Sequence, residues 1–455
     1  MEFIAIDIGT SFTKGAIVNV ESLEIQHIVR QAAARPLLSE NPLFHEIDAQ
    51  SILVGVKKII EDLVSRCSDL NGILLCGQMG GLVLSSEIGT ALRPYISWVD
   101  RRLNDIASGN ESWFDRFSDD IGSEAKTILG NEFRPGLPIS FLYWLKQSGK
   151  LDGFDGAVPV TLPDFIAAAL CRTKPVMEWT ATTGTLNITN RCLPLELFSR
   201  LQIENLQWPE IVSFRHQVGV YNECRKPLPV YAAVGDHQCS LAGTLLSDDE
   251  LSINISTVSQ VSTITNSAAT GDYQLRPYFD GRMLKTITNI PAGRALNAIM
   301  NLLTEIGGDS IDSEAAWNRF FEAAETTPSS DVAVNLAFFP GAINGPGSFT
   351  NLREENLNVG HIARASLEQM AAYYLQLSDR LDSAHPWARL AFSGGIAQRS
   401  KFLRERISCE MNLDYRLATS TEDALFGMIV LGRVIGGLES TVAEATTNVA
   451  AMLND

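Results

Sequence analysis

Asp236 follows the apolar run Pro229-Val230-Tyr231-Ala232-Ala233-Val234, separated from it by Gly235, and precedes helix-like sequence from Gln238 to Leu245. A carboxylate at the carboxyl end of a buried strand lies where open α/β sheets bind ligands, and there it could accept the proton of an attacking hydroxyl. The same placement suits an aspartate capping a helix N-terminus. A second cluster opens the chain. Phe3-Ile4-Ala5-Ile6 leads into Asp7-Ile8-Gly9-Thr10-Ser11, and Gly15-Ala16-Ile17-Val18 follows. Strand, small polar turn and strand read as a β-hairpin. Its turn is suited to anions: Gly9 lets backbone approach closely, Thr10, Ser11 and Thr13 offer hydroxyls, and Lys14 is either a cation for the same anion or an exposed hairpin lysine. It is not a Walker loop, because no GxxxxGK[ST] occurs and a strand follows it. A third cluster, Gln78-Met79 with Trp98, Asp100 and Arg102, combines an aromatic wall with groups that read hydroxyls. Spacing alone fits a solvated loop with a surface salt bridge equally well.

The elements that must position these groups alternate as in an α/β protein. Gly72-Ile73-Leu74-Leu75 and 229–234 read as buried strands, and 50–66 and 294–306 carry helical spacing. A long helical stretch begins near Gly360. Arg389-Leu390-Ala391-Phe392 then reads as a strand, and Ser393-Gly394-Gly395 turns the chain into a helix over 398–411. That glycine pair is either a tight turn or a place where backbone meets a nucleotide at a helix start. Ile253-Asn254-Ile255-Ser256-Thr257-Val258 can be laid on Ile6–Ser11, and β-rich sequence follows both. A phrase recurring once at half the chain length suggests duplicated domains rather than a solenoid. Two such turns face to face would clamp a polyphosphate. Ser247-Asp248-Asp249-Glu250 interrupts the apolar pattern, so the expected domains are 1–247 and 248–455, with 436–455 a helical tail.

A chain of 455 residues fits two domains of roughly 200 residues each. The net charge of −17 argues against nucleic-acid and anionic-membrane partners, which need a basic face. No apolar stretch is long enough to span a bilayer and no signal-peptide pattern opens the chain. The seven cysteines include no CxxC pair and the six histidines no HExxH, which removes the common zinc and thioredoxin-type motifs. A reducing, cytoplasmic location is expected, and a homodimer is left open.

In order along the chain, these segments resemble the FGGY carbohydrate kinases over residues 3 to about 433. Asp7–Ser11 looks like that family's first phosphate turn, Gly77-Gln78-Met79-Gly80-Gly81 like its Gly-Gln-Met-His-Gly segment, and Trp98-Val99-Asp100-Arg101-Arg102 like its Trp-x-Asp-x-Arg. Gly235-Asp236 matches the catalytic Gly-Asp, Ser256-Thr257 the second phosphate turn, and Gly394-Gly395 with Asp423–Gly427 the adenine-nucleotide region. Two departures stand out: Gly80 where many members carry His, and Phe141 where the family's Lys is usual. The resemblance implies two actin-like, ribonuclease H-like domains with a catalytic cleft between them. It implies ATP and Mg2+, with Asp236 as catalytic base and Gln78, Met79, Trp98, Asp100, Arg102 and His237 around the sugar. The nucleotide would meet Asp7, Gly9, Thr10, Ser11, Lys14, Ser256, Thr257, Gly394, Gly395 and Asp423, with Asp7 reaching the metal through water. Asn254-Ile255-Ser256-Thr257 and Asp236-His237-Gln238-Cys239-Ser240 are similar to sedoheptulokinase segments. Sedoheptulose is therefore the expected acceptor, with D-xylulose, D-ribulose or a related polyol as alternatives. A non-catalytic, actin-like nucleotide-binding regulator is the rival of another class.

Overall fold

The computed structural model describes residues 1–67, 69–305, 313–329 and 331–453. The first sheet comprises β1 (Glu2–Ile8), β2 (Phe12–Asn19), β3 (Glu24–Ala32), β4 (Leu70–Gly77), β5 (Gln217–Tyr221) and β6 (Leu228–Tyr231), in the order β5-β6-β4-β1-β2-β3. β1 runs antiparallel to β2 and parallel to β4. A short strand, Val234–Gly235, joins the far end of β4 opposite Cys76 and Gly77. The run expected over 229–234 is thus two strands separated at Ala232-Ala233. The second sheet comprises β7 (Glu250–Ile255), β8 (Ser259–Thr265), β9 (Gln274–Pro277), β10 (Met283–Ile290), β11 (Arg389–Ser393) and β12 (Asp414–Leu417), in the order β9-β10-β8-β7-β11-β12. The paths β3-β2-β1-β4-β6 and β10-β8-β7-β11-β12 coincide, and β7, like β1, pairs antiparallel on one side and parallel on the other. The recurring phrase at 253–258 therefore marks a repeated fold.

Side-chain alternation along β1 assigns its two faces. Ile4, Ile6 and Ile8 pack with Leu53, Val56, Ile60 and Leu63 of α1 (Ala49–Val64), whose spacing makes one apolar stripe, and with Phe165 and Ile166 of α2 (Leu162–Cys171). The chain leaves the first sheet through α3 (Asp236–Gly243). The second sheet is covered by α4 (Val359–Leu381) through Ala363, Leu367, Met370, Tyr374 and Leu377. Beyond β12 the chain returns. Helix α5 (Asp423–Ile435) shares a core with Phe3 and Ala5, on the face of β1 opposite α1, and with Cys239 and Ala242 of α3.

The helix expected over 294–306 is observed as Gly293–Thr304, and residue 306 lies outside the described residues. The helix expected over 398–411 is instead two, Gly395–Arg399 and Lys401–Met411. The break falls at Ser400, whose extended backbone lets its Oγ accept from the Leu403 amide at 3.2 Å, a side-chain N-cap. In the tail, Val442–Met452 is helical, and residues 454–455 lie outside the described residues. Among the described residues no helix is long and apolar enough to cross a membrane.

Candidate functional site

Three adjacent strands end at one edge of the first sheet. Asp7 is opposite Cys76, Ile8 opposite Gly77, and Gly77 opposite Gly235. The register therefore carries Asp7, Gln78 and Asp236 to the same edge, where open α/β sheets hold ligands. In the hairpin turn the Gly9 amide donates to Phe12 O at 3.1 Å, and Thr10 and Ser11 are exposed. Trp98 Nε1 donates to Thr10 Oγ1 at 2.9 Å, which ties the aromatic wall to the phosphate-type turn. Burial pushes the Asp7 carboxyl up while Lys14 pulls it down, and the weak Cys76 Sγ contact at 3.7 Å is its side-chain hydrogen bond.

Gly235 occupies the N-cap of α3, so Asp236 is the first helical residue rather than the cap. Its Oδ1 accepts from the His237 amide at 2.8 Å. Burial and then the negative Asp7 push its carboxyl up to about 7, against the opposing pull of that amide, Arg276 and Arg134. A carboxylate poised near neutrality at a strand end is suited to general-base work.

His237 does not face open solvent. Its Nδ1 lies 2.9 Å from Arg276 Nη1 and its Nε2 lies 3.2 Å from Ser262 Oγ. A guanidinium only donates, so Nδ1 accepts. Burial and then Arg276 hold the ring well below the usual histidine range, so it is neutral and its proton sits on Nε2. That proton goes to Ser262. Ser262 then donates to Thr286 Oγ1 at 2.8 Å, and Thr286 donates to Val261 O at 3.0 Å. Arg276, on β9, is also paired with the buried carboxylate of Glu132 from a loop that follows the first sheet's β4 in sequence. Arg134 stands 3.7 Å from the same carboxylate, and its buried Nε has no hydrogen-bond partner. Sequence reasoning missed Glu132, Arg134 and Arg276. No local spacing links Glu132 to Arg276.

Asp100 and Arg102 are wholly buried, not at the edge. Arg102 Nε and Nη2 reach the two Asp100 oxygens at 2.9 and 2.7 Å, and the amides of Arg102 and His45 complete the carboxylate's shell at 2.8 and 2.6 Å. The guanidinium lies against Phe44 and Trp144, at 4.5 and 4.7 Å from their centroids, and the two rings meet edge to face. This pair holds the loop that presents Trp98, and it is an internal ion pair rather than the surface one that spacing also allowed. Gln78 and Met79 are buried as well: Gln78 Oε1 accepts from Tyr95 OH at 3.2 Å, and Met79 packs on Gly235. Gly80 has φ +85°, and a Cβ there would come within 2.7 Å of Gly136 O and 3.3 Å of Trp98 Cβ. The backbone therefore closes the space that a histidine would need.

At the corresponding edge of the second sheet, Asn254 pairs with Ser393. Asn254 Nδ2 donates to Ser393 Oγ at 2.8 Å and its Oδ1 accepts from Ser256 Oγ at 2.9 Å, so Asn254 braces the turn. Thr257 is exposed, and its carbonyl accepts from the Arg294 amide at 2.7 Å. Ser256, Thr257, Gly395 and Ile396 open onto a cavity of about 370 Å³ that also meets Trp317 and Phe321, whose rings stack 5.6 Å apart. Sequence reasoning found the turn and the glycines but not the aromatics, whose helical spacing looks like ordinary core. Lys14 and Asp423 do not line this cavity, although Lys14 is the cross-strand neighbour of Asp7. Lys14 Nζ binds Glu422 Oε2 at 2.8 Å, a carboxylate that Arg30 also engages. Asp423 has a buried Oδ1 without a partner, and burial followed by Glu422 pushes its carboxyl up to about 6.

Residues 3–243 match the sequence profile of the FGGY family of carbohydrate kinases, N-terminal domain. Among curated proteins, the xylulose kinase of Staphylococcus xylosus is 26% identical over 284 residues, covering 60% of this chain and 56% of that protein. The xylulose kinase of Bacillus subtilis is 27% identical over 149 residues, covering 32% and 28%. These matches span little more than half, or less, of the relatives' own lengths. The fold is that of solved two-domain, actin-like kinases. A gluconate kinase from Lactobacillus acidophilus superposes with TM-score 0.84 at 20% identity, over 98% of this chain and 91% of that one. A xylulose kinase from Rhodospirillum rubrum gives 0.84 at 19%, over 98% and 92%, and a Plasmodium falciparum glycerol kinase with ADP gives 0.82 at 18%, over 98% and 92%. With the profile spanning more than half of its residues, the chain belongs to the FGGY family of carbohydrate kinases.

Proposed function

We propose that this protein transfers the γ-phosphate of ATP to a hydroxyl of a small ketose, with D-xylulose as the first candidate. The observation that carries this is Asp236: a half-buried carboxylate at the edge where β1, β4 and Val234–Gly235 end, raised to about 7 by burial and by Asp7. Phosphoryl transfer has a loose transition state, so the protein mainly positions the groups and offsets charge. Asp236 aligns the sugar hydroxyl and takes its proton as the bond to phosphorus forms. Trp98 presents a flat face to the sugar, and Arg134, with its buried and unpartnered Nε, supplies a donor to it. Thr10, Ser11 and Thr257 hold the phosphates, while the hydroxyl of Ser256 is held within its own turn. Magnesium, when bound with the nucleotide, would supply charge neutralisation. Asp7, with its weakly occupied carboxylate, fits a contact to that ion through water.

The adenine is assigned to the cavity of Trp317 and Phe321. Stacking of a base on an aromatic side chain contributes about 1–3 kcal/mol. Trp317→Ala is accordingly expected to raise KM for ATP about tenfold or more, with KM for the sugar little changed; initial-rate kinetics in both substrates checks this. Xylulose ranks before sedoheptulose because the curated relatives carry the name xylulose kinase, and because Asn254, in one of the two segments of the other likeness, braces its own turn. Mass spectrometry of reactions containing Mg-ATP and D-xylulose, D-ribulose or sedoheptulose tests the assignment. A phosphorylated sugar from D-xylulose is expected. ADP without any sugar phosphate would contradict it.

A further inference from the structure

We propose that Glu178 and Thr180 are positioning residues that fix the Gly235–Asp236 turn through a directed chain of buried hydrogen bonds. The proposal rests on the reading of Asp236 as the base and adds the machinery that aims it. Thr180 belongs to a single helical turn, Trp179–Ala181, far from Gly235 in sequence. Its Oγ1 accepts the Gly235 amide at 2.8 Å. A hydroxyl has one proton to give, and this one goes to Glu178 Oε2, which the Thr180 amide also engages at 2.6 Å. The polarity of the chain is therefore fixed: Gly235 N–H to Thr180 O–H to the Glu178 carboxyl. Glu178 is anchored in turn, because its amide donates to Asp164 Oδ1 at 3.3 Å while Thr161 Oγ1 donates to Asp164 Oδ2 at 2.6 Å.

All of these side chains are buried: Asp164 is 3% exposed, Glu178 1%, Thr161 1% and Thr180 0%. Burial pushes Asp164 up to about 7 and Glu178 up to about 8. Among the described residues neither carboxyl forms an ion pair, as their bonds run to hydroxyls and amides. Two buried acids are a costly way to hold a loop, since a neutral side chain would bind the same donors without the desolvation cost of an acid. What an acid adds is polarisation. Near neutrality the Glu178 carboxyl is mostly protonated and its Oε2 serves as a carbonyl acceptor for both Thr180 donors. As pH rises above about 8 the carboxyl ionises, which strengthens the Thr180 O–H bond and makes the same hydroxyl oxygen a better acceptor for Gly235. Met79 Sδ and Gln238 Oε1 leave no room for a side chain at Gly235, each 2.9 Å from where a Cβ would sit. The turn is held by its amide and packed at its Cα, and the next residue is Asp236.

The test compares Thr180→Val, Thr180→Ser and Glu178→Gln with the wild type and with Asp236→Asn. Initial-rate kinetics is run in both substrates, together with hydrogen exchange of peptides covering residues 232–238. Loss of aim for a catalytic group costs about 10²-fold. Thr180→Val is therefore expected to lower kcat about 10–100-fold with both KM values within about twofold, and Thr180→Ser to restore most of it. Glu178→Gln keeps a neutral acceptor for both Thr180 donors and should lower kcat less than Thr180→Val near neutrality. The Thr180→Val/Glu178→Gln double variant should be no worse than Thr180→Val alone, because the two residues act as one chain. Exchange at Gly235 should accelerate in Thr180→Val and stay slow in Thr180→Ser. Wild-type kcat in Thr180→Val, or unchanged protection of Gly235, overturns the proposal. Failure of the kinase reading looks different: Asp236→Asn would keep its turnover, while the exchange result would still report on the chain of hydrogen bonds.

Discussion

Asp236→Asn is expected to lower kcat by about 10²–10⁴-fold while leaving KM for ATP close to that of the wild type. The substitution keeps the shape and the acceptor for the His237 amide, but its amide oxygen cannot take a proton from the sugar. The wild-type enzyme should show the same group in its pH dependence. Below a value of about 7 the carboxyl carries its proton and cannot act as base, so kcat/KM should fall with acidification and level off above it. The direction is fixed by the cause: burial and a negative neighbour both favour the protonated form. Asp7→Asn removes that neighbour and should move the acid limb to lower pH, whatever else it does to metal or phosphate binding. A pH–rate series on the three proteins checks both statements. Full activity in Asp236→Asn, or an acid limb that Asp7→Asn leaves in place, would contradict the assignment.

Gly427→Ala is expected to destabilise the protein and to lower activity with it. Helices α3 and α5 cross so closely that a Cβ at Gly427 would lie 1.9 Å from Cys239 O, and one at Gly243 would lie 1.8 Å from Asp423 O. In both cases the obstacle is backbone, so no side-chain rotation relieves it and one helix must move. Overpacking of this kind costs about 1–3 kcal/mol or more. The helix that moves most easily is α3, which has eight residues and carries Asp236 at its first position. The thermal midpoint should therefore drop by several degrees and kcat should fall together with it. Gly395→Ala is the control, because a Cβ there meets nothing within 4 Å. Its midpoint should match the wild type. Equal midpoints for Gly427→Ala and wild type would show that the crossing tolerates the methyl group.

Much of the fold was legible because its signals are local. The Asp7–Ser11 turn is a hairpin turn between two strands, its echo at 253–258 opens a second sheet with the same strand path, and the glycine after Val234 turns the chain into α3. What stayed hidden depends on partners remote in sequence. Lys14 looked like a phosphate ligand until Glu422, 408 residues away, took its ammonium. Asp100 and Arg102 have the right types for reading hydroxyls, but Phe44, His45 and Trp144 wrap them into the interior. The Arg276–Glu132 pair and the Thr180–Gly235 contact span 144 and 55 residues, and no spacing rule reaches that far. Gly80 was visible as a departure, but its reason, the carbonyl of Gly136, appears only in three dimensions. The preference for sedoheptulose leaned on two segments, 236–240 and 254–257, and in the second the distinctive residue, Asn254, braces Ser256 and Ser393. That second segment therefore speaks to the shape of its own turn and says little about the sugar.

The most direct test of the central claim is ADP release by the purified protein with Mg-ATP, measured with and without D-xylulose, D-ribulose, sedoheptulose and glycerol. Turnover that is low without sugar and strongly stimulated by D-xylulose is the expected result. ATP binding with no stimulation by any of these compounds would contradict it and favour a nucleotide-binding regulator built on the same fold.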